Sequence, residues 1–302
     1  MSGGADSLKT IFLALGANFA IFVAKAFAAF LTGSGAMLAE AVHSLADCGN
    51  QGLLLFGMKD AKAPASPDHP LGRGKAIYFW SFLVALLLFS VGGAFSIYEG
   101  LHKLQAPEPL AWPGVAIGVL AFGIVAEGFS MAGCLREVNK ARGDRSLWRW
   151  FRESRQSELI VVFGEDLAAL LGLVFALASV LLTMATGNPL FDAIGTLAIG
   201  VLLVVVAVFI AIEVKALLIG QGVDPAAKAE IEGFLVARPE IARLFNLVTL
   251  QLGEDVMVAI KAEMRGGLDA RGLVDAINAV EHDMKARFPQ IRWSFFEPDV
   301  SD

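Results

Sequence analysis

The 302-residue chain is 56% hydrophobic and only 18% charged. Soluble domains carry about 25% charged residues, so the composition excludes an ordinary soluble enzyme and favours the membrane class. The net charge of −6 hides an asymmetry, because acidic residues concentrate in the C-terminal tail while basic residues flank apolar runs. That placement speaks against nucleic acid.

Six apolar runs reach the roughly 20 residues a helical span needs: 8–31, 36–58, 77–98, 112–135, 159–185 and 189–212. Met1–Ser7 lacks a basic stretch and no small-residue cleavage site follows, so no removable signal peptide is expected. The first run carries Asn18 and Lys25, seven apart and on one face. The second is the most informative. His43 and Asp47 stand four residues apart on one helix face, with Glu40 a turn before and Asn50 a turn after. A histidine and a carboxylate at that spacing can hold one divalent cation. Each charge at the bilayer centre costs roughly 2.5–3.5 kcal/mol, and a transported ion is the leading reason to keep one there.

The link after the second run holds Lys59, Lys62, Arg73 and Lys75. The fourth run carries Glu127, and its following loop holds Trp148, Trp150 and Phe151 among arginines, a composition that predicts a short interfacial anchoring helix. The fifth run carries Glu165 and Asp166. Residues 32–35 and 186–188 hold no basic residue, so the positive-inside rule puts both termini in the cytoplasm with six alternating spans. Lys25 has a structural reading as well, neutralising Glu40 or Glu127 to fix helix packing. Cys48 and Cys134 lie in or beside the spans and suggest neither a disulfide framework nor a cysteine zinc site.

Character changes near Gln221. Asp224-Pro225 begins a helix that stops before Pro239; strands follow at 244–252 and 256–264 around the turn Gly253-Glu254-Asp255. A helix at 268–287 and a strand at 291–296 complete an α-β-β-α-β order. The expected fold class is therefore an α-helical membrane protein: six transmembrane helices in residues 1–221, then a small cytoplasmic α+β domain in residues 222–302. So small a domain suits homodimerisation.

Taken together, the His-x-x-x-Asp of His43 and Asp47, the loop Asp68-His69-Pro70-Leu71-Gly72-Arg73-Gly74-Lys75 and the run Glu165-Asp166-Leu167-Ala168-Ala169-Leu170 resemble the cation diffusion facilitator family. Ala39–Gln51, Glu153-Ser154-Arg155 and Gly187-Asn188-Pro189-Leu190 look most like its branch containing the mitochondrial zinc transporter of animals. The resemblance implies six spans, a cytoplasmic α+β tail and proton-coupled export of divalent metal. It implies metal ligands at His43, Asp47 and Asp166. Where the family commonly has another ligand, four residues before Asp166, this chain has Val162. Where an accessory loop site often has a second histidine, it has Arg73, and the tail holds only His282.

Zinc takes four N, O or S ligands, so one is missing; water, Glu165, Glu127 and Glu40 are the candidates, with Glu165 or water favoured. One residue along a regular helix turns about 100°, which argues against simple chelation by Glu165 beside Asp166. An oxygen-rich shell also admits manganese, cobalt or ferrous iron. Removing a dication leaves anions in a poorly solvated cavity, where protons replace the lost charge; alternating exposure of such a site gives metal/proton antiport. The partners expected are thus membrane lipid, a divalent metal ion and a second copy of the chain. The alternatives are a non-transporting scaffold whose buried polar residues only pair helices, and an exporter of an organic cation. An intramembrane metalloenzyme is disfavoured by the lack of His-Glu-x-x-His. Alanine-rich spans and short loops suit a bacterial inner membrane.

Overall fold

A computed structural model describes residues 3–267 and 269–301, and side chains at residue 16 and from residue 18 onward within those ranges. In chain order the helices are α1 (Gly3–Thr32), α2 (Gly35–Ala61), α3 (Ala76–Leu87), α4 (Phe95–Gln105), α5 (Pro113–Arg142), α6 (Leu147–Glu153), α7 (Ser157–Thr186) and α8 (Leu190–Ile219). A tail follows with α9 (Pro225–Val236), β1 (Ile241–Leu252), β2 (Asp255–Met264), α10 (Ala270–Arg287) and β3 (Ile291–Pro298).

Among the described residues, four helical stretches are long and apolar enough to cross a membrane: Ala76–Gln105, Pro113–Arg142, Ser157–Thr186 and Leu190–Ile219. The first contains α3 and α4, joined without a break by a π-helical segment, Leu88–Ala94. In α1 the described apolar stretch is shorter, Asn18–Thr32. α2 is long enough, at 27 residues, but Glu40, His43, Asp47 and Asn50 make it less apolar.

The chain forms two compact units. One comprises Met1–Gly57, Trp80–Asp144 and Glu158–Glu213; the other comprises Met58–Phe79, Arg145–Ser157 and Val214–Asp302. In the first unit α4 and α8 pack through small residues. A Cβ added at Gly100 would lie 2.7 Å from Leu197 Cγ, and one at Gly200 would lie 2.7 Å from the backbone nitrogen of Ile97. Such close backbone approach is the usual way membrane helices gain dispersion contact.

In the second unit the tail follows its hydrophobic alternation. Val256, Val258, Ile260 and Ala262 point to one face of β2 and are buried. They form one core with Ile231 and Leu235 of α9 and Val280 and Met284 of α10. β2 is central, antiparallel to β1 and parallel to β3. A parallel neighbour requires a crossover, which α10 supplies. Leu252 pairs with Asp255, so the hairpin connection is the two residues Gly253-Glu254, and Gly253 takes the positive φ (71°) such turns need. β1 begins three residues earlier than its sequence pattern, across two register shifts, and β3 runs two residues further. Asp224 caps α9 and Asp269 caps α10. Leu268, the expected start of that second helix, lies outside the described residues. Lys261 stands 3.1 Å from Asp299 and its hydrogen bond holds that carboxyl below the usual carboxylate range.

The arginine-rich loop also belongs to this unit, and here the anchoring expectation needs correction. α6 does form, capped by Ser146, but Trp150 and Phe151 are buried in protein and only Trp148 is largely exposed. Arg155 Nε donates to the carbonyl of Gly222 (2.7 Å), so this arginine ties two segments of the chain together rather than facing a headgroup.

Candidate metal centre

α2 carries the centre of the polar set because Ala39, Ala41 and Ala46 around it are small enough to let the helix sit inside the bundle. His43 is completely buried. Its Nδ1 lies 3.6 Å from Asp47 Oδ1, near but too far for a hydrogen bond. Neither ring nitrogen of His43, nor Asp47 Oδ1, has a hydrogen-bond partner among the described residues. A buried polar group left unpaired costs about 1–3 kcal/mol, so these atoms are poised for something else to complete them.

Beside them is a cavity of about 110 Å³. It receives Asn18 from α1, Ser44, Asp47 and Gln51 from α2, Glu127 and Ser130 from α5, and Glu165 and Asp166 from α7. A bound water needs only about 10–15 Å³ on this measure, so an ion with part of its hydration shell fits. Val162 also lines the cavity, at the position where the family resemblance leads one to expect a ligand.

The carboxylates differ in what holds them. Glu165 is buried and accepts from Asn50 Nδ2 at 2.5 Å. Asp166, one residue on, is turned to a different helix, and both its oxygens accept from Ser130 Oγ at 3.2 Å. This divergence is the 100° step of a regular helix made visible. Glu40 is engaged elsewhere: Lys25 Nζ donates to Glu40 Oε2 (3.0 Å) and to Ser44 Oγ (2.8 Å), all three buried. A Cβ on Gly172 would collide with the other oxygen of Glu40, so the absence of one on α7 makes the room. Of the two partners the sequence offered Lys25, the structure therefore pairs it with Glu40 and not Glu127. Glu127 has no hydrogen bond or ion pair among the described residues.

Among the described residues no three His, Cys, Asp or Glu side chains converge closely enough to hold one metal ion. The structure thus brings Asp47, Glu127, Glu165 and Asp166 to one cavity; His43 stands behind Asp47 and does not itself line it, and Glu40 is left outside. Contact at the roughly 2 Å of a zinc bond would require α2 and α7 groups to move together. Cys48 and Cys134 are free thiols. Arg73, in the other unit, pairs with Asp60 at 3.0 Å, and the neighbouring His69 is exposed.

Two contributors escaped the sequence reading. Ser130 orients Asp166, and its signal was its place one turn after Glu127 on α5. Ser44 links Lys25 to the cavity, one turn after Glu40 on α2.

The chain is 33% identical over 258 residues to the mitochondrial proton-coupled zinc antiporter SLC30A9 of Xenopus laevis, covering 85% of this chain and 46% of that protein. It is 30% identical over 235 residues to metal tolerance protein C4 of Arabidopsis thaliana, covering 76% of this chain and 50% of that one. The cation-efflux pump FieF of Shigella flexneri matches at 25% over 272 residues, covering 89% and 85%. The chain thus spans only about half the length of the first two relatives. Residues 11–219 match the model of the cation efflux transmembrane domain, more than half the chain, and on that ground this multi-pass membrane protein belongs to the cation efflux family.

Proposed function

We propose that the protein is a divalent-metal efflux transporter, with zinc as first cargo and protons as counter-ion, working by alternating access. The observation that carries this is the buried His43, both ring nitrogens unpartnered among the described residues, next to Asp47 of the carboxylate-lined cavity. His43, Asp47 and Asp166 are the ligands in this reading. Glu127, Glu165 and water remain the candidates for the fourth place, and Glu40 is set aside by its pairing with Lys25. Zinc as cargo is supported by relatives named as a proton-coupled zinc antiporter; manganese, ferrous iron and cobalt suit the same oxygen-rich shell. The reading is one of transport, not enzymatic chemistry.

In the same proposal α1, α2, the helix containing α3 and α4, α5, α7 and α8 are the six spans. Residues 1–221 form the transport domain and residues 222–302 a cytoplasmic dimerisation domain. Both termini face the cytoplasm of a bacterium whose inner membrane holds the protein. Coupling follows from charge. Metal leaving the cavity exposes several carboxylates to one another at low dielectric, and protons entering from the far side restore neutrality.

The test is flux in purified proteoliposomes under an imposed pH gradient, across Zn, Mn, Fe, Co and Cd. His43→Ala, Asp47→Ala and Asp166→Ala should each reduce flux to background. Unchanged flux in all three would remove the site assignment, and no metal-dependent flux from the wild type would favour the scaffold reading.

A further inference from the structure

Far from the cavity, one buried carboxylate ties together the ends of three helices. Asp192, in the first turn of α8, is only 2% exposed. Its Oδ1 accepts from Ser34 Oγ at 2.5 Å, and its Oδ2 accepts from the backbone N–H of Gly35 at 2.7 Å. Gly35 begins α2, so the carboxylate of one helix caps the N-terminus of another. Lys103, in the last turn of α4, brings Nζ to 3.8 Å from Asp192 Oδ2 and donates to the carbonyl of Gly33. The packing leaves no slack. A Cβ on Gly35 would lie 2.6 Å from Lys103 Cδ and 2.8 Å from Thr196 Oγ1. Along α2, the cavity residues Ser44 to Gln51 begin nine residues later, about 14 Å at 1.5 Å per residue.

We propose that Asp192, with Ser34, Gly35 and Lys103, is a gate at the end of the bundle where α2 and α8 begin and α4 ends. It is closed in this structure and parts when cargo leaves. The inference rests on the transport reading. Its physical basis is the kind of contact used. An apolar seam loses free energy when water enters it, whereas a buried ionic knot recovers hydration that offsets much of its broken Coulomb energy. Closed and open states held by such a knot therefore lie near each other in energy, as a gate requires. The element it releases is also the right one. α2 carries His43 and Asp47, so a shift at its first residue is carried along a rigid helix to the ligands.

The experiment uses the full chain in liposomes, with Cys48→Ala and Cys134→Ala as background and Thr183→Cys as reporter. Thr183 is buried near the end of α7, which a short link joins to α8. Labelling by a membrane-impermeant maleimide from the gate side reads how often that end opens. Asp192→Asn should raise the labelling rate about tenfold or more, the scale of one hydrogen bond to a charged group. Lys103→Met should raise it less, and Lys103→Arg should restore the wild-type rate. A lower melting temperature with unchanged labelling would mean a merely structural cap and would overturn the gate. Should Asp192→Asn fail to fold, Ser34→Ala removes one bond of the knot and carries the same measurement. Zinc flux of the wild type, run in parallel, separates the two ideas. Absent flux counts against transport itself, while normal flux with unchanged labelling in the variants counts against the gate alone.

Discussion

At the scale of single residues, partners decide roles. Glu40, Glu127, Glu165 and Asp166 are the same functional group in four settings, and only their neighbours tell them apart. Glu40 is neutralised by Lys25, with Ser44 as second acceptor, so its charge serves helix packing. Breaking a buried pair of this kind by removing one partner costs about 3–5 kcal/mol. Glu165 is held by Asn50, Asp166 by Ser130, and Glu127 faces the cavity with no partner among the described residues. From this difference we expect Glu127→Gln to weaken zinc binding about tenfold or more, as loss of a ligand or of its orienting partner does. Glu165→Gln keeps an oxygen able to accept from Asn50 and should change affinity by less than about threefold, well below the usual effect of a shell mutation. Titration with a competing fluorescent chelator reads both. A larger loss from Glu165→Gln would hand the fourth place to that residue instead.

Among the elements, close backbone approach holds the membrane helices. The α4–α8 seam depends on Gly100 and Gly200, where an added Cβ would meet both side-chain and backbone atoms of Leu197 and Ile97 within 3.0 Å. Gly100→Val should therefore destabilise the folded protein by roughly 1–3 kcal/mol, the usual cost of overpacking. Gly118→Ala, on the same kind of helix but with nothing within 4 Å, should be neutral or slightly stabilising. Thermal unfolding in detergent, followed by tryptophan fluorescence, compares the two. Equal shifts would show that the seam is looser than its geometry. The anchoring reading of α6 held only for its exposed Leu147 and Trp148, for a related reason. Aromatic residues among arginines look alike whether they meet lipid or protein, and burial of Trp150 is a property of the surroundings, not of the seven-residue segment.

For the molecule as a whole, the tail is the expected means of association. Its core is complete on one face of the sheet, yet Val248, Val274 and Phe295 remain about half exposed. In detergent the full chain should run as a dimer by light scattering, and deletion of residues 222–302 should yield monomers. A dimer that survives the deletion would move the interface to the membrane helices. Much of the architecture was legible before any coordinates existed. The four apolar runs of span length found among the described residues and the period-two alternation of β2 are local signals, because lipid and a one-sided core impose them residue by residue. The nearness of His43 to Asp47 was legible too, since four residues on a helix fix a shared face. What only the tertiary structure decided is which distant groups meet. Lys25 takes Glu40, Asn50 takes Glu165, Ser130 takes Asp166, and Asp192 reaches back 157 residues to the start of α2. Helical periodicity sets the face on which a side chain stands but says nothing of which helix stands opposite, and in a membrane bundle that second fact determines where every buried charge is satisfied.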